Sequence, residues 1–309
     1  MRNSLQVKMV NYQMKIFATI IWSLVSISAF AQKTYVLRQN YPTGYKYDFT
    51  LTSEQIINQK IAGRDVHLTQ SIGTDYTFDI TEGHSGEKDV KVTYNRISMK
   101  SVAMGNTMTL NSDDQDSTKK NPFSGLKGAS FYMTVTPNGA IKTVAGIDKM
   151  LDNMAARMTK DTSQVKQIKN ALSKQFSNEV VKQTMESSFK IYPDKSVKIG
   201  DSWTVDTKMQ MSMPIETITQ YTLKEVKDGI AVLSVKGTLV SKGNFEVMGN
   251  KMETDLQGTN SGETSLDMKT GIVLNSHLRV ELYGKMKSMG QDVDFEMQGI
   301  NKIVGKEVN

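Results

Sequence analysis

The chain has 309 residues, with 38 Lys and Arg against 32 Asp and Glu, and it contains no cysteine. The missing thiol excludes disulfides, thiol catalysis, cysteine-ligated metal and a lipid anchor on cysteine. The small positive excess is spread among both signs rather than gathered into a basic stripe, so nucleic acid is not an expected partner.

Residues 1–31 read as a secretory signal. Met14-Lys15 opens a basic start, the apolar run "IFATIIWSLVSIS" follows, and Ala29-Phe30-Ala31 places small residues at −3 and −1 before Gln32. The run is short of the roughly 20 apolar residues that a membrane span needs. Translation is expected to start at Met14. Removing Arg2, Lys8 and Lys15 with the signal leaves 35 basic against 32 acidic residues, a balance of +3. A soluble chain in the periplasm or outside the cell is expected, and not a lipoprotein.

An N-terminal β meander is expected over 32–145, because "YKYDFTLT" and "DYTFDIT" alternate apolar and polar residues with the period of half-buried strands. "DVKVTYNRISMK" keeps that period unevenly around Arg96. "EGHSGEKD" and "TPNGA" punctuate the strands, the second with an Asn-Gly hairpin signal. Over 146–192 the period becomes helical. Ile147, Met150, Leu151, Met154 and Met158 form one stripe; Val165, Ile168 and Leu172 form a second. A third, Val180, Val181, Met185 and Phe189, follows Ser177 as N-cap with Glu179 in the first turn. Strands resume over 193–309, where "GDSW" reads as a tight turn into a strand and Lys269-Thr270-Gly271 as a hairpin turn. The two β stretches look like an approximate internal repeat with the helices as connector.

A repeated phrase marks the hairpins: "SVAMGNTM", "EVMGNKME" and "KSMGQDVD", with "KIAGRDVHL" as a fourth copy. Placing Gly-Asn or Gly-Gln at the two central positions pairs Met289 with Asp292, Lys287 with Asp294 and Lys285 with Glu296. Val293, Met286, Phe295, Met297 and Leu282 then fall on the opposite, apolar face. The turn explains the Gly and its amide neighbour but not the Met. Met104, Met248 and Met289 are therefore candidate contact residues at hairpin tips, and Met150, Met154 and Met158 are candidates for lining an apolar cavity under the helices.

Chemistry is thinly signalled. His67, His84 and His277 share no metal-ligand spacing and read as surface. Asp113, Asp114 and Asp116 sit close together but lack the mid-loop Gly and terminal Glu of a calcium loop, so a solvated loop is expected. There is no nucleophile elbow and no phosphate loop. No catalytic residue, metal or cofactor is assigned.

The signal ending "AFAQ", the Met-Gly-Asn/Gln hairpins and "YPDKSVKIGDSW" (Tyr192 to Trp203) resemble an uncharacterised domain-of-unknown-function family of exported proteins from Gram-negative bacteria. The resemblance covers the mature chain and implies no activity. The expected fold is mainly β (α+β): antiparallel meanders forming an open or half barrel, or packed sheets, with a helical insertion between them. The expected function is a non-enzymatic module of the cell envelope binding an apolar, lipid-like ligand or a partner protein. The alternatives are an envelope interaction protein with a packed core and no ligand, and a hydrolase with a scattered carboxylate site.

Overall fold

The computed structural model describes residues 33–308 except 62, 117, 175, 211, 212, 248, 249 and 289, and except the side chain of Val247. The expected signal therefore lies outside the described residues. From Tyr35 onward the chain forms one compact unit. Among the described residues no helix is long and apolar enough to cross a membrane, which says nothing of a β-barrel.

The alternating segments form one antiparallel sheet of twelve strands among the described residues. The first meander supplies β1 (Lys46–Ile61), β2 (Arg64–Glu82), β3 (Lys88–Ala103), β4 (Asn106–Asn111), β5 (Ser130–Val135) and β6 (Ile141–Ala145). The second supplies β7 (Ser202–Met209), β8 (Ile215–Lys227), β9 (Ile230–Val247), β10 (Asn250–Asp267), β11 (Val273–Ser288) and β12 (Gln291–Val308). In space the order is β6-β5-β3-β2-β1-β12-β11-β10-β9-β8-β7, with β4 also on β3. The first and last strands thus pair at the centre, from Lys46 opposite Val308 to Ile61 opposite Val293. The sheet does not close into a barrel. Its edges are β6, with β4 beyond it along β3, on one side and β7 on the other.

The uneven run at Arg96 is a β-bulge: Asp75 pairs with Arg96 but Tyr76 with Tyr94, so Asn95 is the extra residue. It lets the strand keep its apolar side chains inward after an insertion of one.

The helical stripes form three helices, α1 (Ile147–Met158), α2 (Thr162–Ser173) and α3 (Asn178–Phe189). Asp161 caps α2 by accepting from the Ser163 and Gln164 backbone N–H groups. Ser177 caps α3 by accepting from Val180. α1 buries Met150, Leu151 and Met154, and α3 buries Val181, Met185 and Phe189. Helix α2 has no buried residue and packs on α1. α3 packs against β6 and β7 alike. The Glu186 carboxylate on α3 accepts from the Ile141 backbone N–H of β6 at 2.9 Å. Beyond α3, the Trp203 indole of β7 donates to Ile191 O at 2.9 Å and stacks on Tyr221.

The main core lies between these helices and one face of the sheet. Phe49, Phe78 and Phe189 meet with ring centroids 4.6 to 5.3 Å apart. Phe131 from β5 and Val205 from β7, at opposite sides of the sheet, belong to the same cluster, so the sheet curls around the helices. We call this face inner.

Inward-facing glycines make the curl possible. A Cβ on Gly258 would come closer than 3.0 Å to the Glu281 backbone carbonyl, and one on Gly284 would do the same to Asp255 O. On Gly305 it would lie 2.7 Å from Phe49 Cε1. Neighbouring strands approach there more tightly than any side chain permits. Gly258→Ala is therefore expected to lower stability by about 2 kcal/mol or more in urea unfolding, while Thr259→Ala, on the outer face beside it, stays within about 0.5 kcal/mol.

Burial also sets the response to alkali. It pushes the Tyr47 phenol up to about 12 and those of Tyr76 and Tyr192 well above 10.0. Each neutral phenol is favoured in the fold, so its stabilisation is complete below 10.0 and is lost as pH rises towards the folded value. Unfolding stability should be insensitive to these groups at neutral pH and decline from about pH 10 upward. The share of the tyrosinate absorbance contributed by Tyr47, Tyr76 and Tyr192 should rise together with loss of tertiary structure, rather than before it.

Candidate functional site

The registers fix which side chains share the inner face, because facing residues in adjacent strands point the same way. One rung crosses seven strands as Gln70, Gln55, Gly299, Val280, Asn260, Gly237 and Thr219. The rung on its helix side includes Ser53, Asn301 and Leu278, and the rung beyond that returns to Leu51, Ile303 and Leu233 of the main core. On the hairpin side the next rung reads Leu68, Ile57, Met297, Leu282 and Gly258. Of these, Ile57, Met297 and Leu282 belong to a second cluster centred on Leu256, Leu282, Met286, Val293 and Phe295. The inner face therefore has an aromatic zone under the helices, an apolar zone at the hairpin end and a neutral polar strip between them.

Three properties distinguish that strip. It carries no charge: on the inner face the charged residues Arg64, Glu82, Lys88 and Glu307 stand at strand ends. It is open: Asn301, on the same face as the buried Phe49 and Phe295, is exposed, and Ser53, Gln55 and Gln70 are half-buried. Its polar atoms are incompletely used. Gln55 Nε2 donates to Ser53 Oγ at 3.0 Å and Gln70 Nε2 to Met99 Sδ at 3.5 Å, but Asn260 Oδ1 is buried over Gly237 without a partner. An acceptor in that state costs about 1–3 kcal/mol until a donor reaches it.

The apolar zone beyond is also incompletely covered. Ile57, Ile61, Phe245, Met252 and Met297 are only partly buried against the second cluster. Met108, on the inner face of β4, is 50% exposed.

The outer face carries the charge, and a groove of about 750 Å³ lies where β2, β1, β12 and β11 run side by side, lined by that face together with Leu282, Phe295 and Met297. Lys60, Asp65, His67, Tyr283, Asp294 and Glu296 are among its lining residues. His67 Nδ1 and Asn58 Oδ1 hydrogen-bond at 2.8 Å. Asp294 and Glu296 alternate on β12 and so stand about 7 Å apart on one face.

The sequence-predicted site residues scatter. Met150 and Met154 are packed in the main core, and Met158 is half-buried at the end of α1. Met104 is 75% exposed at a hairpin tip. Met248 and Met289 lie outside the described residues. His84 and His277 are exposed. Asp113 pairs with Lys127 at 2.6 Å and Asp114 with Lys119 at 2.8 Å, so that loop's carboxylates are turned to lysines. Among the described residues no group of three or more His, Asp or Glu is placed to hold a metal.

The turn centre needs correction. Ala103 pairs with Asn106, Val247 with Asn250 and Ser288 with Gln291. The two-residue links are therefore Met-Gly rather than Gly-Asn or Gly-Gln, and the facing pairs become Lys287 with Asp292 and Lys285 with Asp294. Moving a hairpin turn by one residue shifts each partner by two, which leaves every side chain on the same face. The sorting of faces therefore could not distinguish the two registers. At the first of these links Met104 has φ 49° and Gly105 φ 77°, the paired left-handed residues of a type I′ turn.

With the geometry in hand, the comparisons with known proteins are brief. A family described as being of unknown function (DUF6263) matches residues 85–273. The chain belongs to that family. The DUF6263 match runs from the β2–β3 turn through the helices to the start of β11, and so includes Asn260 but not Gln55 or Asn301. No curated protein matches the chain. Among solved structures it is similar to the translocator domain of the autotransporter NalP from Neisseria meningitidis, at 7% identity over 84% of this chain and 88% of that one, TM-score 0.28. It is also similar to OccK7 from Pseudomonas aeruginosa, at 6% identity over 86% and 100%, TM-score 0.22. Scores this low carry no argument about fold or function.

Met104 is an unfavourable choice for a left-handed position, where Asn is tolerated. Met104→Asn is expected to raise stability by about 0.5–1 kcal/mol in denaturant unfolding. An unchanged or lower stability would mean that the Met side chain packs against something that holds it.

Proposed function

We propose that this DUF6263 protein is an exported, non-enzymatic module of the cell envelope that binds an apolar ligand on the inner face of its open sheet. The N-terminal apolar run with its Ala29-Phe30-Ala31 site supports export. The observation that carries the binding reading is the exposure of Asn301 at the centre of a face buried on both sides of it. An inward side chain in a central strand meets solvent only where the sheet, the helices and the far strands leave space. The partly covered Met and Ile residues beside it give that space an apolar floor that adapts in shape.

A second reading rests on the outer groove, whose exposed Tyr283 and mixed charges suit a partner protein better than a lipid.

The absence of cysteine makes a clean probe available. Ser53→Cys changes one atom beside Asn301 and introduces a single thiol. Protein purified from its own envelope is expected to carry a lipid-sized adduct in native mass spectrometry. The introduced thiol should be slow to react with a maleimide until the adduct is stripped. Protein that purifies without an adduct, with a thiol equally unreactive before and after detergent extraction, would refute the inner-face reading. Loss of a co-purifying protein on Tyr283→Ala, with no adduct present, would favour the groove.

A further inference from the structure

Resting on that reading, we propose that the ligand is an uncharged amphiphile: one long alkyl chain bearing a hydroxyl- or amide-containing head. Its head would sit on the strip formed by Gln55, Asn260 and Asn301, and its chain would run toward the hairpin end over Met252 and Met297.

The argument begins with what the inner face lacks. Away from strand ends it offers no charged side chain to any ligand. A carboxylate, phosphate or ammonium moved there gives up its hydration without gaining an ion pair, which is strongly unfavourable. Carboxamides and hydroxyls are the opposite case. Each of the three amides carries both donors and an acceptor, so together they match a neutral head that also donates and accepts. Asn260 supplies the specific demand. Its Oδ1 is unpaired and buried against the Gly237 backbone, and turning the amide into the strip would let a ligand hydroxyl or amide N–H satisfy the acceptor.

The direction of the chain follows from packing. On the helix side the next zone is filled by Phe49, Phe78 and Phe189 in ring contact, all essentially inaccessible. On the hairpin side Ile57, Met252 and Met297 are partly uncovered. Leu51 and Ile303 beside the strip are partly uncovered too, but they lead onto the closed phenylalanine rings, so a flexible alkyl chain runs the other way, over unbranched Met side chains that repack around it at small cost.

The test uses three amphiphiles of equal chain length below their micellar concentrations: a monoacylglycerol, the corresponding fatty acid and an alkyltrimethylammonium. Each is titrated into delipidated, full-length mature protein carrying Ser53→Cys, and protection of the thiol from maleimide gives the affinity. The monoacylglycerol is expected to protect at a concentration about tenfold or more below either charged analogue. Asn260→Asp places a charge on the strip and should cost about tenfold in monoacylglycerol affinity. Gln55→Glu, at a half-buried position, is the second variant should Asn260→Asp fail to fold. Thr259→Asp, one residue away on the outer face, should leave affinity unchanged. Equal protection by a charged analogue overturns the inference while the binding function stands. Protection by none of the three, together with no adduct in native mass spectrometry, removes the binding function itself.

Discussion

An open sheet of this length has two edges, and everything else here depends on how they are covered. Unpaired edge backbone invites pairing with other chains. Here α3 lies against both edges at once, with Glu186 taking the first free N–H of β6 and the segment after α3 receiving the Trp203 indole of β7. A helix satisfies its own backbone, so it can stand against β6 and β7 without leaving further peptide groups unpaired. The insertion between β6 and β7 is thus a structural element of the sheet, and the curl of the strands is matched to the width of a helix rather than to that of a strand.

That substitution has a consequence for the interior. The buried helix residues fill one end of the curled sheet, and Lys174 at the end of α2 reaches the β9–β10 hairpin, where it pairs with Glu246 at 2.9 Å. The apolar residues of the hairpin end pack mainly on one another. Two apolar clusters result instead of one, and on the inner surface between them polar residues such as Gln55, Asn260 and Asn301 interleave with Val280 and Leu278 at the cluster margins. Polar residues are tolerated there because water reaches them, as the exposure of Asn301 indicates. The glycines in the same region allow the strands to bend between the two clusters. Chemistry and curvature therefore change at the same place in the fold. The outer face keeps nearly all the charge, which separates solubility from whatever the inner face does.

Much of this was legible in the sequence because it depends on local patterns. The helix stripes from Ile147 to Phe189, the Ser177 cap and the inward side of each hairpin all follow from periods of 3.6 or 2. The interruption at Arg96 was visible as an uneven alternation, and became a bulge once its partner Asp75 was known. The neutral strip was not legible. Gln55, Asn260 and Asn301 are far apart in sequence, and each looks like an ordinary polar residue in an alternating strand until the registers place them on one inner face, with Asn260 two strands away from Asn301. The Met-rich helix misled for a related reason: spacing alone does not distinguish a stripe that lines a cavity from one that is packed, as Met150 and Met154 are. The turns misled differently, since a hairpin centred one residue away sorts its side chains identically.

The pairing of β1 with β12 at the middle of the sheet has a temporal meaning. A ribosome makes β1 first and β12 last, so the central ladder, from Lys46 opposite Val308 inward, joins segments separated by nearly the whole chain. Neither half-sheet can complete its inner strand until the last residues are available. During synthesis β1 offers a long unpaired edge until β12 has emerged. The strand that becomes the axis of the sheet is thus the one that waits longest for its second partner, and the central ladder closes last.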